Sequence, residues 1–172
     1  MTIWKLWQRK DGGVCYTTNS FGKPLRNIES DERSYIIENY YRPHHKRLTE
    51  SVKLELDSHG KSLIIDCHSF SNIPLPHEDS KDIPRPDICI GVDSFHTPDD
   101  LVQFTKQYFE NLNYIVKIND PFSGTIIPMD YYQKDKRVKG IMIELNRDLY
   151  KNDFEMVQLN IQNFLEKIQC QI

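Results

Sequence analysis

The segment Leu63–Phe70, with the sequence LIIDCHSF, constrains the fold of this chain more than any other. An apolar run leads directly into Asp66 and His68, which predicts a buried strand whose end carries a carboxylate and an imidazole. In open α/β sheets, ligands and metals bind at the carboxyl ends of strands. His68, with an acidic neighbour to orient its ring, is therefore our candidate metal ligand.

A second apolar run, from Lys139 to Arg147, places Glu144 at the equivalent position near the end of a strand. A histidine ligand and a glutamate base are the minimum set for metal-assisted hydrolysis, because the base takes a proton from the attacking water. Glu144 is accordingly our candidate catalytic residue. The alternative is a structural glutamate at a strand end that pairs with an arginine.

Helical patterns alternate with short apolar runs along the chain, which is typical of α/β layers. We expect a three-layer α/β sandwich with a mostly parallel central sheet, formed by residues 1–172 as a single domain. Polar loops after three of the strands should meet at one edge of that sheet. The expected strands are Leu63–Cys67, Ile88–Gly91, Tyr114–Ile118 and Lys139–Leu145. Helices are expected to begin at Ser30, at Thr97 as N-cap with Pro98 in the first turn, and near Asn152.

Composition excludes several classes of function. The net charge of −3 provides no basic surface for nucleic acid. No apolar run approaches the roughly 20 residues of a membrane span, and residues 1–10 lack the apolar core of a signal peptide. The chain is therefore expected to be cytoplasmic, with neither nucleic acid nor membrane as a partner.

The four cysteines are widely spaced and form no CxxC pair, which argues against a cysteine-based zinc module. Cys67 and Cys89 lie inside strand-like runs, so we expect both to be small buried apolar residues. His96, just before a helix start, is expected to be structural.

Five residues are candidates for substrate binding. Arg85 either grips a carboxylate through a bidentate fork or forms a salt bridge with Asp87 that holds their loop. Arg147 and Arg26 are rivals for the carboxylate, and the sequence does not rank the three arginines. Asn119 either forms a turn or contacts the acyl oxygen or a carboxylate of a substrate.

Several segments, taken together and in this order, resemble the N-formylglutamate amidohydrolase family. The resemblance covers nearly the whole chain and is specific only as a set. The segments are Tyr40–His45 (YYRPHH), Ile65–Phe70 (IDCHSF), Arg85–Gly91 (RPDICIG), Asp93–Thr97 (DSFHT), Asn119–Thr125 (NDPFSGT) and Ile141–Arg147 (IMIELNR).

The resemblance implies a fold akin to that of zinc carboxypeptidases and the related phosphorylase/hydrolase-like proteins. It implies metal-dependent cleavage of N-formyl-L-glutamate to formate and glutamate, a step in histidine breakdown, with a divalent metal, zinc, as cofactor. His68 matches the later metal-ligand histidine of the family, and Glu144 matches the general base. An N-acyl-glutamate substrate carries two carboxylates, so it requires at least one arginine to bind them.

The chain departs from the family pattern at its start. Family members begin with a further segment that holds a Pro-His-Ser-Gly-like motif, an acidic partner and an Asp-x-Asn-Arg-like motif, none of which occurs before Val14. We therefore expect the chain to correspond to the C-terminal part of such an enzyme. Two alternatives remain open. One is a truncated or non-catalytic homologue that retains the fold and a carboxylate-binding pocket. The other is an assembly, a homo-oligomer included, in which a second polypeptide supplies the missing ligands.

Overall fold

The structure is a computed structural model that describes residues 14–169. These residues form two compact units, each described here by itself. The first comprises residues 14–51 and 75–78, and the second comprises residues 52–74 and 79–169.

The first unit is mainly helical. Helix α1 (Ser30–Ile36) leads into a π-helical turn (Ile37–Tyr41), and helix α2 (Arg42–His59) follows directly. Helix α2 belongs to the first unit up to Ser51 and to the second unit from Val52 onward. Pro43 has no N–H to donate and is expected to interrupt a helix; here the wider π turn lies immediately before it. Helix α2 ends before Gly60, whose positive φ of 71° is a backbone conformation that glycine adopts readily just past a helix.

The second unit contains one four-stranded sheet. Its strands, in sequence order, are β1 (Ser62–Phe70), β2 (Ile88–Gly91), β3 (Val116–Ile118) and β4 (Val138–Asn146). The spatial order is β1-β4-β2-β3. The helices of this unit are α3 (Asp99–Glu110), α4 (Arg147–Asn152) and α5 (Phe154–Ile168). The predicted α/β fold is confirmed.

Strand directions depart from the prediction in one respect. β1 pairs with β4 and β2 pairs with β3 in parallel, but β2 and β4 are antiparallel. β2 and β3 therefore run opposite to β1 and β4, so the loops after the strands do not all meet at one edge. The loop that follows β3 begins toward the other end of the sheet.

The two faces of the sheet have different chemistry. One face is apolar, and its isoleucines pack against α3 and α5 around Phe109 and Phe164, whose ring centroids are 4.9 Å apart. Both rings are almost fully buried, and each contributes roughly 2–3 kcal/mol through burial alone. The opposite face carries polar side chains near the ends of β1 and β4. On the same face, near the start of β4, Val52 of α2 packs with Ile127 and Val138.

The start of α3 differs from the prediction by one residue. The helix begins at Asp99 with Pro98 as its N-cap, and no side chain caps it. Thr97 instead donates its hydroxyl to the Gly140 carbonyl oxygen at 2.6 Å and accepts from the Asp93 amide. The predicted cap is wrong because the sheet offers this hydroxyl a buried acceptor.

Within residues 14–169, none of the helices combines the length and the apolar character needed to cross a membrane.

Candidate functional site

Strand pairing aligns four ionisable side chains in one row across the sheet. His68 of β1 is the direct partner of Glu144 of β4, which is opposite Cys89 of β2, which in turn is paired with Lys117 of β3. Residues at one register level point to the same face, and neighbouring strands lie about 4.8 Å apart. The structure thus brings the two main candidates, His68 and Glu144, side by side on the polar face.

Asp66 lies two residues before His68 and therefore on the same face of β1. Its Oδ1 is 2.7 Å from His68 Nε2, and its Oδ2 accepts a hydrogen bond from the Ile126 amide at 3.1 Å. The His68 side chain is 51% exposed, whereas the Asp66 side chain is 18% exposed. The ring is thus tethered at one nitrogen to a largely buried carboxylate and remains open to solvent elsewhere.

Glu144 lies on an inner strand and is 7% exposed. Its neighbour Cys89 is fully buried, and this burial raises the pKa of the Cys89 thiol to about 11, with the Glu144 and Asp120 carboxylates adding to the rise. Cys89 is therefore a protonated thiol at neutral pH, and a protonated thiol is a poor nucleophile.

Cys67 contradicts its prediction, because it is exposed rather than buried. It lies on β1, which is an edge strand of the described sheet, and its side chain points away from His68. The apolar pattern of the segment predicted a strand, but it did not show which strands are central.

A loop that follows β3 crosses the polar face. The Cys89 thiol donates to the Phe122 carbonyl oxygen at 3.1 Å. Two glycines allow the loop to lie close to the sheet. A Cβ on Gly91 would be 2.3 Å from the Gly124 carbonyl oxygen, and one on Gly140 would be 2.6 Å from Ile127 Cδ1. We call residues 119–127 the covering loop.

Arg85 lies at the same end of the sheet as His68 and Glu144, and it is 6% exposed. Its guanidinium group donates to the carbonyl oxygens of Ser71 and Ser80 at 2.9 and 3.1 Å. It also lies over the rings of Phe70 and Phe122, 5.7 and 6.0 Å from their centroids. These contacts hold the polar loop before β2 against the covering loop.

Asp87 also lies at this end, but its carboxylate accepts from the Ile115 amide at 2.8 Å, not from Arg85. Its carbonyl oxygen accepts from the amide of Asn146. Asn146 is buried, donates from Nδ2 to Asn72 Oδ1 and to the Pro86 carbonyl oxygen, and caps α4. Sequence reasoning missed this asparagine, although its position between a predicted strand and an arginine was a usable signal.

The two rival arginines bind other groups of the protein. Arg147 donates from Nε to Ser69 Oγ at 3.3 Å and from its terminal nitrogen to the Ser69 carbonyl oxygen at 3.1 Å. The Ser69 side chain points to the face opposite His68. Arg26 belongs to the first unit, where it donates to the Tyr16 carbonyl oxygen and pairs with Glu32.

Asn119 is not at the His68 end of the sheet, because β3 runs in the opposite direction to β1. Its side-chain oxygen accepts from the Val92 amide at 2.9 Å, and its own amide donates to the Ile90 carbonyl oxygen at 2.8 Å. Its φ of 56° is in the left-handed region, which asparagine tolerates better than most residues. These contacts have the character of a structural loop residue, and a role of Asn119 in substrate binding stays a prediction.

His96 has the surroundings expected of a structural histidine. It is 1% exposed; its Nδ1 lies 2.7 Å from the Val138 carbonyl oxygen, and its Nε2 accepts from the Gln133 amide at 2.8 Å. Both ring nitrogens are thus committed to backbone partners.

Within residues 14–169, no three His, Cys, Asp or Glu side chains are grouped closely enough to hold a metal ion. Catalytic zinc usually takes three protein ligands and a water. The described residues alone therefore do not fit a complete zinc site.

Comparison with known proteins places this site in a family context. Residues 3–151 match the family model of N-formylglutamate amidohydrolase. A crystal structure of N-formylglutamate amidohydrolase from Ralstonia eutropha JMP134 has a TM-score of 0.66 and 24% identity, and the match covers 80% of this chain and 51% of that one. A crystal structure of a gene product from Agrobacterium tumefaciens has a TM-score of 0.62 and 20% identity, and the match covers 90% of this chain and 58% of that one.

The two solved structures, at these identities, support the fold alone. The chain spans about half the length of the first of them. No curated protein matches the sequence.

Proposed function

The chain belongs to the N-formylglutamate amidohydrolase family, and from this membership we propose that it hydrolyses N-formyl-L-glutamate to formate and glutamate. The single observation that carries the proposal is the direct pairing of His68 with Glu144 on one face of the sheet. Histidine breakdown as the pathway and the cytoplasm as the location belong to the same proposal.

The proposed role of Glu144 is that of general base. Its carboxylate takes a proton from a water molecule as the water oxygen attacks the formyl carbon, and it passes that proton to the leaving amine nitrogen as the C–N bond breaks. One water molecule is consumed, and the products are formate and the free amino acid. Burial supports this role, because little bulk water competes with the attacking water for the Glu144 carboxylate.

Substrate binding is proposed at the same end of the sheet. Arg85 is the arginine that we propose for the substrate, because it lies in the loop before β2 and its contacts hold the surrounding loops. Its cationic field favours a substrate carboxylate nearby. Direct roles for Asp87, Asn119, Arg147 and Arg26 remain predictions, and the small-molecule partner is an N-acyl amino acid.

Zinc, or another divalent metal, is a separate proposal in which His68 supplies one ligand. The resemblance and the exposed ring support it, but the described residues do not complete a site. No step of the chemistry above is therefore assigned to a metal.

The test is Glu144→Gln, which removes the base and keeps the size of the side chain. We expect the purified variant to keep the fold, as measured by circular dichroism, and to lose formate release by at least about 100-fold. Glu110→Gln, on the surface of α3, is the matched control and should retain full activity. Unchanged turnover in Glu144→Gln would eliminate the proposed mechanism.

A second candidate is a non-catalytic homologue that binds the substrate without hydrolysing it. The absence of a three-ligand group among residues 14–169 favours it. Calorimetry with N-formyl-L-glutamate separates the two: heat of binding with no formate release identifies the binding protein, whereas formate release in the wild-type chain excludes it.

A further inference from the structure

We propose that Asp66 is a positioning residue that fixes His68 as the Nε2–H tautomer, leaves Nδ1 as the reactive nitrogen, and couples the ring to the covering loop. The inference rests on the proposed function only in naming this ring as part of the active site. The tautomer is argued from the contacts of Asp66 with His68 and Ile126, and the coupling from the contacts that hold the covering loop on the sheet.

The hydrogen-bonding capacity of Asp66 decides the tautomer. An ionised carboxylate accepts hydrogen bonds and donates none. Asp66 Oδ1 lies 2.7 Å from His68 Nε2, so that nitrogen must carry a hydrogen. In a neutral ring the lone pair is then on Nδ1, which is the nitrogen free to bind a metal ion or to accept a proton.

The second oxygen of Asp66 links the ring to the covering loop. Oδ2 accepts from the Ile126 amide at 3.1 Å, so the carboxylate has a different partner at each oxygen. A carboxylate held at one oxygen only could rotate about its terminal bond. The backbone amide removes that freedom, and the plane of the carboxylate then determines where Nε2–H must point.

The covering loop is itself fixed against the sheet. The Cys89 thiol donates to the Phe122 carbonyl oxygen, and the loop lies so close to the sheet that a Cβ at Gly91 or Gly140 would collide with Gly124 or Ile127. The sheet thus determines the position of the Ile126 amide, and through Asp66 the position of His68. This chain of contacts compensates for the exposure of a ring that lies on an edge strand.

The experiment is ¹⁵N-resolved NMR of the histidine rings in the full chain, in mildly alkaline buffer where a histidine ring is neutral. The chain has six histidines, and the His68 signals are identified as those that disappear in His68→Gln. We expect His68 of the wild-type protein to show protonated Nε2 and unprotonated Nδ1 shifts.

Asp66→Asn is the test variant, because it keeps the shape and changes one acceptor into a donor. The side-chain oxygen of the new asparagine can still accept from the backbone amide of Ile126. The NH₂ group of the asparagine then faces His68 Nε2. We therefore expect the His68 ring to switch to the Nδ1–H form, with its two nitrogen shifts exchanged. A wild-type His68 already in the Nδ1–H form, or no switch in Asp66→Asn, would overturn the proposal.

Glu55→Gln is the matched control, since it changes the carboxylate of the exposed Glu55–His59 pair on α2, where Oε2 and Nδ1 are 3.0 Å apart. It should change the signals of His59 and leave those of His68 unchanged. The wild-type spectrum decides the tautomer even if Asp66→Asn fails to fold. Because the readout requires no turnover, a confirmed tautomer without formate release would contradict the proposed function and leave this inference intact.

Discussion

At the scale of single residues, the row across the sheet shows how burial selects the chemistry of a side chain. Cys89 and His68 occupy the same register level, yet one is fully buried and the other is half exposed. Burial holds the sulfur as a neutral thiol that donates to a carbonyl oxygen. Exposure leaves the imidazole able to exchange protons or ligands with solvent.

The raised pKa of Cys89 predicts a pH dependence of stability. The thiol ionises near 9.0 when unperturbed and near 11 in the folded protein, so between these values the unfolded chain loses a proton that the folded chain keeps. Stability from this residue is fully present below about pH 9 and is lost as the pH rises toward 11. Cys89→Ala removes this loss. Between pH 9 and 11 the free energy of unfolding of the variant should therefore fall by less than that of the wild type, and the difference should reach about 2–3 kcal/mol.

Urea unfolding at a series of pH values measures this difference. Cys67→Ala is the comparison, because Cys67 is exposed. Partial burial and the Asp66 carboxylate raise the pKa of its thiol as well, so this variant should reduce the slope less than Cys89→Ala does. Parallel curves for the wild type and Cys89→Ala would show that this thiol does not contribute to alkaline instability.

Sequence reasoning put His68 and Glu144 near the ends of two predicted strands, and the parallel pairing of β1 and β4 brings the two residues side by side. It could not predict the link from Asp66 to Ile126, since a backbone amide in a loop leaves no pattern in the sequence. It also failed for Cys67, because the same apolar run suits a central strand and an edge strand equally well.

At the scale of elements, the covering loop depends on two glycines in different strands. Neither Gly91 nor Gly140 has a positive φ, so their requirement is for space rather than for backbone freedom. At Gly91 the nearest obstacle includes the Gly124 carbonyl oxygen, a backbone atom. At Gly140 it is the Ile127 Cδ1 atom, the far end of a flexible side chain.

This contrast predicts different costs for the same substitution. Gly91→Ala must displace the backbone of the covering loop, so we expect it to reduce the free energy of unfolding by about 2–3 kcal/mol. Gly140→Ala can be accommodated by rotation of Ile127 and should cost about 1 kcal/mol or less. Urea denaturation of the two variants measures both values. A larger loss in Gly140→Ala would contradict the packing described for the loop.

The elements themselves were largely predictable from apolar runs and turn residues, and β2 has the predicted bounds. The reversed direction of β2 relative to β4 was not predictable, because the periodicity of a strand is the same in both directions. That reversal explains why Asn119, although it follows a strand, is bonded to Ile90 and Val92 rather than placed beside His68.

At the scale of the whole molecule, the described residues supply only part of the metal site that we propose. His68 offers one ring nitrogen, and Glu144 is adjacent in register, but no third ligand is grouped with them in residues 14–169. Each ligand removed from a zinc site weakens binding, and a catalytic site normally has three from the protein. The affinity of this chain for zinc should therefore be far below that of a complete catalytic centre.

The corresponding prediction concerns metal retention by the full chain. After loading with zinc and exhaustive dialysis against metal-free buffer, we expect elemental analysis to find well below one zinc per chain, in the wild type and in His68→Ala alike. Before dialysis, calorimetric titration should show weak binding that His68→Ala reduces further, because the ring nitrogen is the best donor in the group. One zinc retained per wild-type chain and lost in His68→Ala would contradict the prediction. It would mean that His68 has partner ligands beyond the described residues, and it would favour the metal-dependent hydrolase over the binding protein.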